Sequence, residues 1–172
     1  MADGTLKVGT IQTSSGTGTI TLGQSGETLA AGTGVTIGSG LGKILQIQSA
    51  VLEGGSANKE TTSASFVTAT LEVAITPSAT SSKILVMTAN GFGSSGDGYF
   101  TIYRDDTTNL GGATYGMQRI NATTYSNGAL IHLDAPSSTS EVTYTVYFKA
   151  GSGTSYVNNT QYGQMIAMEI AG

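Results

Sequence analysis

The chain of 172 residues lacks Cys and Trp altogether and contains only two Pro and one His. The absence of Cys excludes disulfides and thiolate metal sites, so stability must come from packing or from assembly. A single His cannot build a histidine-rich metal centre. We therefore expect neither a metal nor a cofactor.

Charged residues are also scarce, at 10% of the chain. Seven Lys and Arg are scattered singly against 11 Asp and Glu, which gives a formal net charge of −4. No basic stripe is available to neutralise phosphates, so nucleic-acid binding is disfavoured.

Long hydrophobic segments are missing as well. The longest apolar runs, such as residues 84–87, span four residues, far fewer than the roughly 20 that a membrane-spanning helix needs. The first residues also lack the basic and apolar regions of a secretory signal. We therefore expect synthesis in a cytoplasm and no membrane insertion.

Small and hydroxylated residues are abundant instead: 25 Gly, 27 Thr and 19 Ser. Gly weakens a helix by about 1 kcal/mol relative to Ala, and Ser and Thr favour caps, turns and strands. The composition thus excludes a helical protein and predicts an all-β chain.

Residues 1–42 form a first, Gly- and Thr-rich segment with 11 Gly and three charged residues. Single apolar residues alternate with polar ones, which is typical of short strands with one apolar face. These apolar residues are too few to offset the entropy cost of ordering the backbone. The segment is therefore either a flexible tail or, as we favour, ordered by intertwining with copies of itself or by docking onto a partner surface.

From residue 43 onward longer strands follow at fairly even spacing, which predicts a second domain, residues 43–172. Gly, Ser, Asn and Asp loops separate eight predicted strands: residues 43–52, 64–76, 83–92, 98–104, 113–120, 128–134, 141–149 and 163–171. This pattern predicts an antiparallel β-sandwich, with a jelly roll as the natural eight-strand solution. The glycine-rich residues 93–98 are predicted to form a turn between two strands.

Alternation also predicts which side chains face the core. In the last strand, the apolar set opposite Glu169 is expected to face inward, and His132 is expected to point outward between inward neighbours. The predicted core set is Val67, Ala69, Leu71, Val73, Ile75, Ile131, Leu133, Val142, Tyr144, Val146, Phe148, Ile166, Met168 and Ile170.

Residues Ile84, Leu85, Val86 and Met87 have no polar residue between them. An uninterrupted apolar run indicates a strand that is covered on both faces. In a two-layer sandwich the second cover must come from another subunit, so these four residues are the candidate packing site of an oligomer.

No combination of residues suggests catalysis. The carboxylates are isolated apart from Asp105 and Asp106, which lie in a segment typical of a hairpin turn. Ser25 fails the nucleophile-elbow pattern because Glu27 stands where the second Gly is needed. The glycine clusters precede strands, so no helix N-terminus supports a phosphate site. We predict no catalytic residue, no metal ligand and no enzymatic activity.

Four tyrosines lie in or beside Gly, Ser and Asn loops: Tyr115, Tyr125, Tyr156 and Tyr162. Such a composition is suited to recognising glycans or proteins. Packing over loop bases or between subunits is the alternative role.

Several segments resemble appendage proteins of marine bacteriophages, cyanophages especially. The N-terminal likeness is carried by Gly-Thr-Leu-Lys-Val at residues 4–8 and by residues 18–28. The C-terminal likeness is carried by Ile-Thr-Pro-Ser at residues 75–78, Ser-Lys-Ile-Leu-Val at 82–86, Ile-Tyr-Arg-Asp at 102–105 and Ala-Met-Glu-Ile-Ala at 167–171. The motifs do not separate a tail fibre from a head fibre or a capsid decoration protein.

The resemblance implies a homotrimer without enzymatic activity, displayed on the virion surface after synthesis in the host cytoplasm. It also implies that residues 1–42 fasten to other virion proteins of the capsid or tail while the sandwich faces outward. The candidate anchoring residues are Leu6, Val8, Ile11, Ile20 and Leu22. The near absence of a shaft favours a short fibre or decoration that serves host attachment or capsid or tail reinforcement. A carbohydrate-binding module that recognises host glycans through the loop tyrosines is the alternative function.

Overall fold

The alternating Thr, Val, Ile and Tyr residues form an all-β domain in the computed structural model, which describes residues 43–53, 59–158 and 162–172. The described residues belong to one compact unit and contain no helix. They form nine strands: β1 (Ile44–Leu52), β2 (Lys59–Thr61), β3 (Val67–Ile75), β4 (Lys83–Arg104), β5 (Thr108–Asn109), β6 (Gln118–Asp134), β7 (Val142–Ser152), β8 (Ser155–Val157) and β9 (Gly163–Ile170).

The predicted antiparallel all-β fold is confirmed, but β4 and β6 are longer than predicted. The predicted strands 83–92 and 98–104 both belong to β4, and β6 joins the end of predicted strand 113–120 to strand 128–134. The turn predicted at residues 93–98 is wrong, because β4 and β6 pair continuously through this stretch. None of its glycines has a positive φ. The backbone therefore stays extended where the glycine content suggested a chain reversal.

β4 is the central strand of the fold. One of its edges pairs with β6 and, at the end, with the short strand β5. Its other edge pairs in turn with β9, β8 and β7. The result is a three-stranded antiparallel ribbon, which β1 extends beside β9 and β3 extends beside β7.

This ribbon is folded over on itself. A straight strand of 22 residues would be about 70 Å long. Yet Arg104, the last residue of β4, contacts Asp134, which pairs with Ile84 at the start of the same strand. Arg104 Nη1 donates to Asp134 Oδ1 at 2.9 Å and to Oδ2 at 2.7 Å. The two halves of β4 therefore lie in opposite layers, with the glycine-rich residues 93–98 between them.

Two layers thus enclose one core. The first layer contains β1, β9, the first half of β4 and the second half of β6, and the second layer contains β3, β7 and the remaining halves. β1 and β3 lie close together, so the antiparallel sheet is nearly closed. The largest fully buried apolar side chains come from both layers: Tyr144, Phe92, Phe100, Phe148, Leu71, Ile75, Ile84, Ile102, Met165, Val86 and Val146.

The predicted facing is confirmed in the second layer. All four predicted core residues of β7 are buried. In β3, Val67 is half-buried and the other four predicted residues are buried. Here one face of each strand is apolar and the other polar, so alternation identifies the core side.

The predicted facing is wrong in the first layer. In β9, Glu169 is fully buried, whereas Ile166, Met168 and Ile170 lie on the outer side and are half-buried. In β6, Ile131 and Leu133 are 63% and 51% exposed. The inward side of this strand carries His132 with the buried residues Leu130 and Asp134.

Hydrogen bonds explain why acidic residues can occupy the inner side. Glu169 accepts from the Ser78 backbone N–H at 2.7 Å, from Ser78 Oγ at 2.6 Å and from Gln46 Nε2 at 2.7 Å. Burial alone raises the pKa of Glu169, but hydrogen bonds from Ser78 and Gln46 contribute to an overall lowering of the pKa to about 2. A buried carboxylate with several donors is thus stable where the polarity pattern predicted an outward side chain.

Asp134 is held in a second buried network. Besides the Arg104 guanidinium, it binds Tyr144, whose hydroxyl donates to Asp134 Oδ2 at 2.8 Å. Burial and the neighbouring Asp134 carboxylate raise the pKa of Tyr144, so this hydroxyl remains a donor. The network joins the ends of β4, β6 and β7.

The predicted first domain, residues 1–42, and its candidate anchoring residues lie outside the described residues. Its anchoring or shaft role stays a prediction. The described residues all belong to the predicted second domain, residues 43–172.

Candidate functional site

The most distinctive surface of the described residues is the outer side of the first layer, which we call the apolar face. Strand pairing arranges its side chains in three rows across β1, β9, β4 and β6. The rows are Ile47, Met168, Leu85 and Leu133; Ser49, Ile166, Met87 and Ile131; and Val51, Gln164, Ala89 and Ala129.

The apolar face is large and uncharged. Rows about 6.6 Å apart on four strands about 4.8 Å apart cover roughly 400 Å². None of the three rows contains a charged residue, and Lys83 lies at the margin beside Ile170. Ten of the twelve positions are apolar, and the other two are Ser49 and Gln164. Apolar patches of this size on soluble proteins are often functional.

Several side chains of the apolar face are still largely accessible to water. Ile47 is 55% exposed, Val51 is 56% exposed, and Ile131 and Leu133 are 63% and 51% exposed. Their burial against a partner is a source of binding free energy that the isolated fold leaves unused.

The apolar face is concave between its second and third rows. Ala89 and Ala129 face each other across β4 and β6, and with Met87, Ile131 and Ile166 they line a hollow of about 230 Å³. Two small side chains between larger ones leave room for an apolar side chain from a partner, as interdigitating interfaces require.

The structure divides the four candidate packing residues between the two sides of β4. Ile84 and Val86 are fully buried in the core of the chain itself, whereas Leu85 and Met87 are half-buried on the apolar face. Only Leu85 and Met87 are thus placed to contact another subunit. Sequence analysis did not predict that Ile47, Val51, Ile131 and Leu133 lie on the same face. The apolar residues on both sides of β9 did indicate that this layer has an apolar outer side.

The four candidate glycan-contact tyrosines do not form one site. Tyr125 and Tyr156 pair at a centroid distance of 5.2 Å on either side of Gly93, where a Cβ would overlap the Tyr125 ring. This pair therefore covers the glycine backbone of β4.

The other two tyrosines are more accessible. Tyr115 is 57% exposed and lies 5.5 Å from the ring of Tyr99. Tyr162 is 72% exposed and lines a hollow of about 390 Å³ together with Ala89, Asn90, Asn127 and Gly128. The amide and aromatic groups of this hollow are of the kind that bind sugar hydroxyls and sugar rings.

The adjacent carboxylates Asp105 and Asp106 lie in a tight turn between β4 and β5. Asp105 and Asp106 have positive φ values of 51° and 54°, and the Thr107 N–H donates to the Arg104 carbonyl at 3.2 Å. Two central residues with positive φ define a type I′ turn, so the predicted hairpin turn is confirmed.

Two kinds of feature are absent from the described parts of the chain. Within them, no group of three or more His, Asp or Glu side chains is arranged to hold a metal ion. The same residues include no helix long and apolar enough to cross a membrane.

No model of a known protein family matches the chain, and no curated protein is significantly similar to it.

Proposed function

We propose that this chain is a non-enzymatic structural protein of a bacteriophage particle, displayed on the virion surface as a short homotrimeric fibre or decoration. Its role in this proposal is host attachment or reinforcement of the capsid or tail. The virion origin and the number of three subunits rest on the sequence resemblance, and the jelly-roll connectivity of the sandwich stays a prediction.

The apolar face is the observation that carries the assembly part of the proposal. Its occupant is a second copy of the same chain, because an uncharged face lets identical subunits, each with a net charge of −4, meet without burying unpaired charge. In a closed ring every copy uses this face in the same way, and no apolar surface is left to continue growth.

The available free energy is of the right size. Full burial of a Val, Leu or Ile side chain contributes about 1.5–3 kcal/mol. Four side chains that are about half exposed therefore retain roughly 3–6 kcal/mol per subunit for assembly. Three subunits together thus gain roughly 9–18 kcal/mol, which is comparable with the roughly 8–30 kcal/mol that the two association steps of a trimer cost. Contacts of the half-buried neighbours add to this gain.

Multi-angle light scattering of the full chain tests the proposal. We expect a mass three times that of the 17.4 kDa chain, maintained on dilution to low micromolar concentration. A monomer at millimolar concentration would refute assembly, and a stable dimer would refute the trimer.

The second candidate function is recognition of host surface glycans through the loop tyrosines. Tyr162 favours it, because this exposed ring lies beside Asn90 and Asn127 at a hollow. Tyr162→Ala is then expected to reduce adsorption to host cells without changing the mass of the assembly. Unchanged adsorption would leave no role for this hollow.

A further inference from the structure

The outer side of the second layer carries a row in which aromatic and cationic side chains alternate. Strand pairing places Tyr99 of β4 between Arg119 of β6 and Lys149 of β7. Tyr115 contacts both Arg119 and Tyr99, and Phe66 contacts Lys149 on the other side. We call these five residues the aromatic row.

Ring contacts hold both cations of the aromatic row in place. Arg119 Cζ lies 5.8 Å from the ring centroids of both Tyr99 and Tyr115. Lys149 Nζ lies 4.7 Å from the Phe66 centroid and 5.4 Å from that of Tyr99. Contacts of this kind occur about once in 70–80 residues of a typical protein, so a cluster of four is unusual. The long cationic side chains are thereby ordered before a ligand arrives.

The aromatic row is locally positive in an acidic chain. Arg119 forms an ion pair with Asp97, whose Oδ1 accepts a hydrogen bond from Arg119 Nη2 at 3.0 Å. Within the described residues, Lys149 forms no salt bridge. Two cations with one nearby carboxylate favour an anionic ligand, and Lys149 is the group with unused charge.

Further rings widen the surface beside Phe66. Tyr103 lies 6.0 Å from Phe66 and stacks on Tyr147 at 4.2 Å. Asp106 and Glu72 lie beside Tyr147, so this end adds ring surface and no positive charge. These half-buried rings offer apolar faces, and the tyrosine hydroxyls add polar edges, which suits the stacking of sugar rings.

The aromatic row remains accessible in the proposed oligomer, because it lies on the opposite layer from the apolar face. Tyr115 is 57% exposed and the Arg119 side chain is 43% exposed. Tyr99 is 8% exposed and supports the cations on either side of it.

We propose that the aromatic row binds a linear polysaccharide that carries carboxylate or sulfate groups. Sugar rings stack on the exposed ring of Tyr115 and on Phe66, and the acidic groups pair with Lys149 and Arg119. The site lies outside the Tyr162 hollow and does not depend on assembly. This proposal specifies the ligand of the second candidate function, glycan recognition. It rests on that function only for the assumption that the ligand is a carbohydrate.

Binding of alginate and heparin to the full chain, measured by isothermal titration calorimetry, tests this proposal, with dextran as the neutral control. Lys149→Met keeps the apolar stem on its two rings but removes the charge. It is expected to weaken alginate binding about tenfold, the effect of one charge-assisted hydrogen bond. Tyr115→Ala, which removes an exposed ring, is expected to weaken it by a similar factor. Lys59→Met is the matched control and should bind as the unmodified chain does.

Salt dependence, light scattering and a Tyr162 variant separate this proposal from its alternatives. Affinity for alginate should fall as salt rises, and the fall should be smaller in Lys149→Met. Light scattering of each variant separates this inference from the assembly proposal, since either can fail while the other holds. Tyr162→Ala separates it from the hollow, because loss of binding in that variant alone would refute the aromatic row as the site.

Three other results would overturn the proposal. They are absence of alginate and heparin binding by the unmodified chain, equally tight binding of dextran, and equally tight binding of a single-stranded oligonucleotide, which aromatic and cationic side chains also recognise.

Discussion

Replacement of Ile131 by Asp on the apolar face gives the sharpest separation of folding from assembly. The side chain is 63% exposed in the single chain, so about two thirds of its burial, or roughly 1–2 kcal/mol, becomes available only on assembly. A buried unpaired carboxylate costs several kcal/mol more. The variant should thus lose at least about 3 kcal/mol per subunit, a factor of more than 100 in the association constant for each contact.

Sedimentation velocity at several concentrations measures this loss. Ile131→Asp is expected to be a monomer at concentrations where the unmodified chain is a trimer, with the same circular dichroism spectrum. Thr123→Asp adds the same charge at an exposed position on the same strand but outside the three rows, and should leave the mass unchanged. An Ile131→Asp variant that remains a trimer would refute the apolar face as the interface.

Three predictions concern the stability of the domain itself. Asp134→Ala should lower the urea-measured free energy of unfolding by about 3 kcal/mol, because it leaves a partly buried arginine and a buried tyrosine without their acceptor, whereas Asp97→Ala at an exposed ion pair should change it little. Equal effects would show that the buried network is unimportant. Because the pKa of Glu169 is lowered from 4.5 to about 2 in the folded chain, its contribution is complete above the unfolded pKa and is lost as pH falls toward 2. The stability difference between the chain and its Glu169→Gln variant should therefore shrink over this range, and a difference that stays constant with pH would contradict the argument. Gly93→Ala should cost about 1–3 kcal/mol in thermal unfolding, because the new Cβ displaces the Tyr125 ring. Adding Tyr125→Ala should recover part of that loss, and strictly additive effects would exclude the contact.

Sequence patterns predicted the second layer well because its strands separate polar from apolar sides. Val142, Tyr144, Val146 and Phe148 alternate with Thr, Tyr and Lys, and all four are buried. The composition likewise predicted the all-β fold, since no helix could accommodate so many Gly, Ser and Thr residues.

In the first layer, alternation gave the wrong core-facing residues because both sides of its strands are apolar. In β9, Met165 and Ala167 face the core while Ile166 and Met168 face outward, so hydrophobicity does not identify the inner side. The charge of Glu169 led to the wrong prediction that its side of the strand faces outward. The hydrogen-bond donors that stabilise this carboxylate inside the fold are remote in sequence. Ser78, for example, is 91 residues away.

The candidate sites were predictable only in part for the same reason. The uninterrupted run at residues 84–87 predicted a strand covered on both faces. Ile84 and Val86 are buried in the core, and the cover of Leu85 and Met87 by another subunit stays a prediction. Which residues lie next to this run depends on the pairing of β4 with β6 and β9, and no local pattern encodes that pairing. The aromatic row is still less predictable, because Phe66, Tyr99 and Lys149 come together only through the folding of the sheet.

The folded-over ribbon also has a consequence for the folding reaction. Since β4 and β6 each contribute to both layers, neither layer has a complete set of strands of its own, and no stable state with a single formed layer is available. Unfolding should accordingly be a single cooperative transition. The pairing of Ile44 with Ile170 and of Val67 with Phe148 joins residues far apart in sequence, so the domain should fold in milliseconds to seconds.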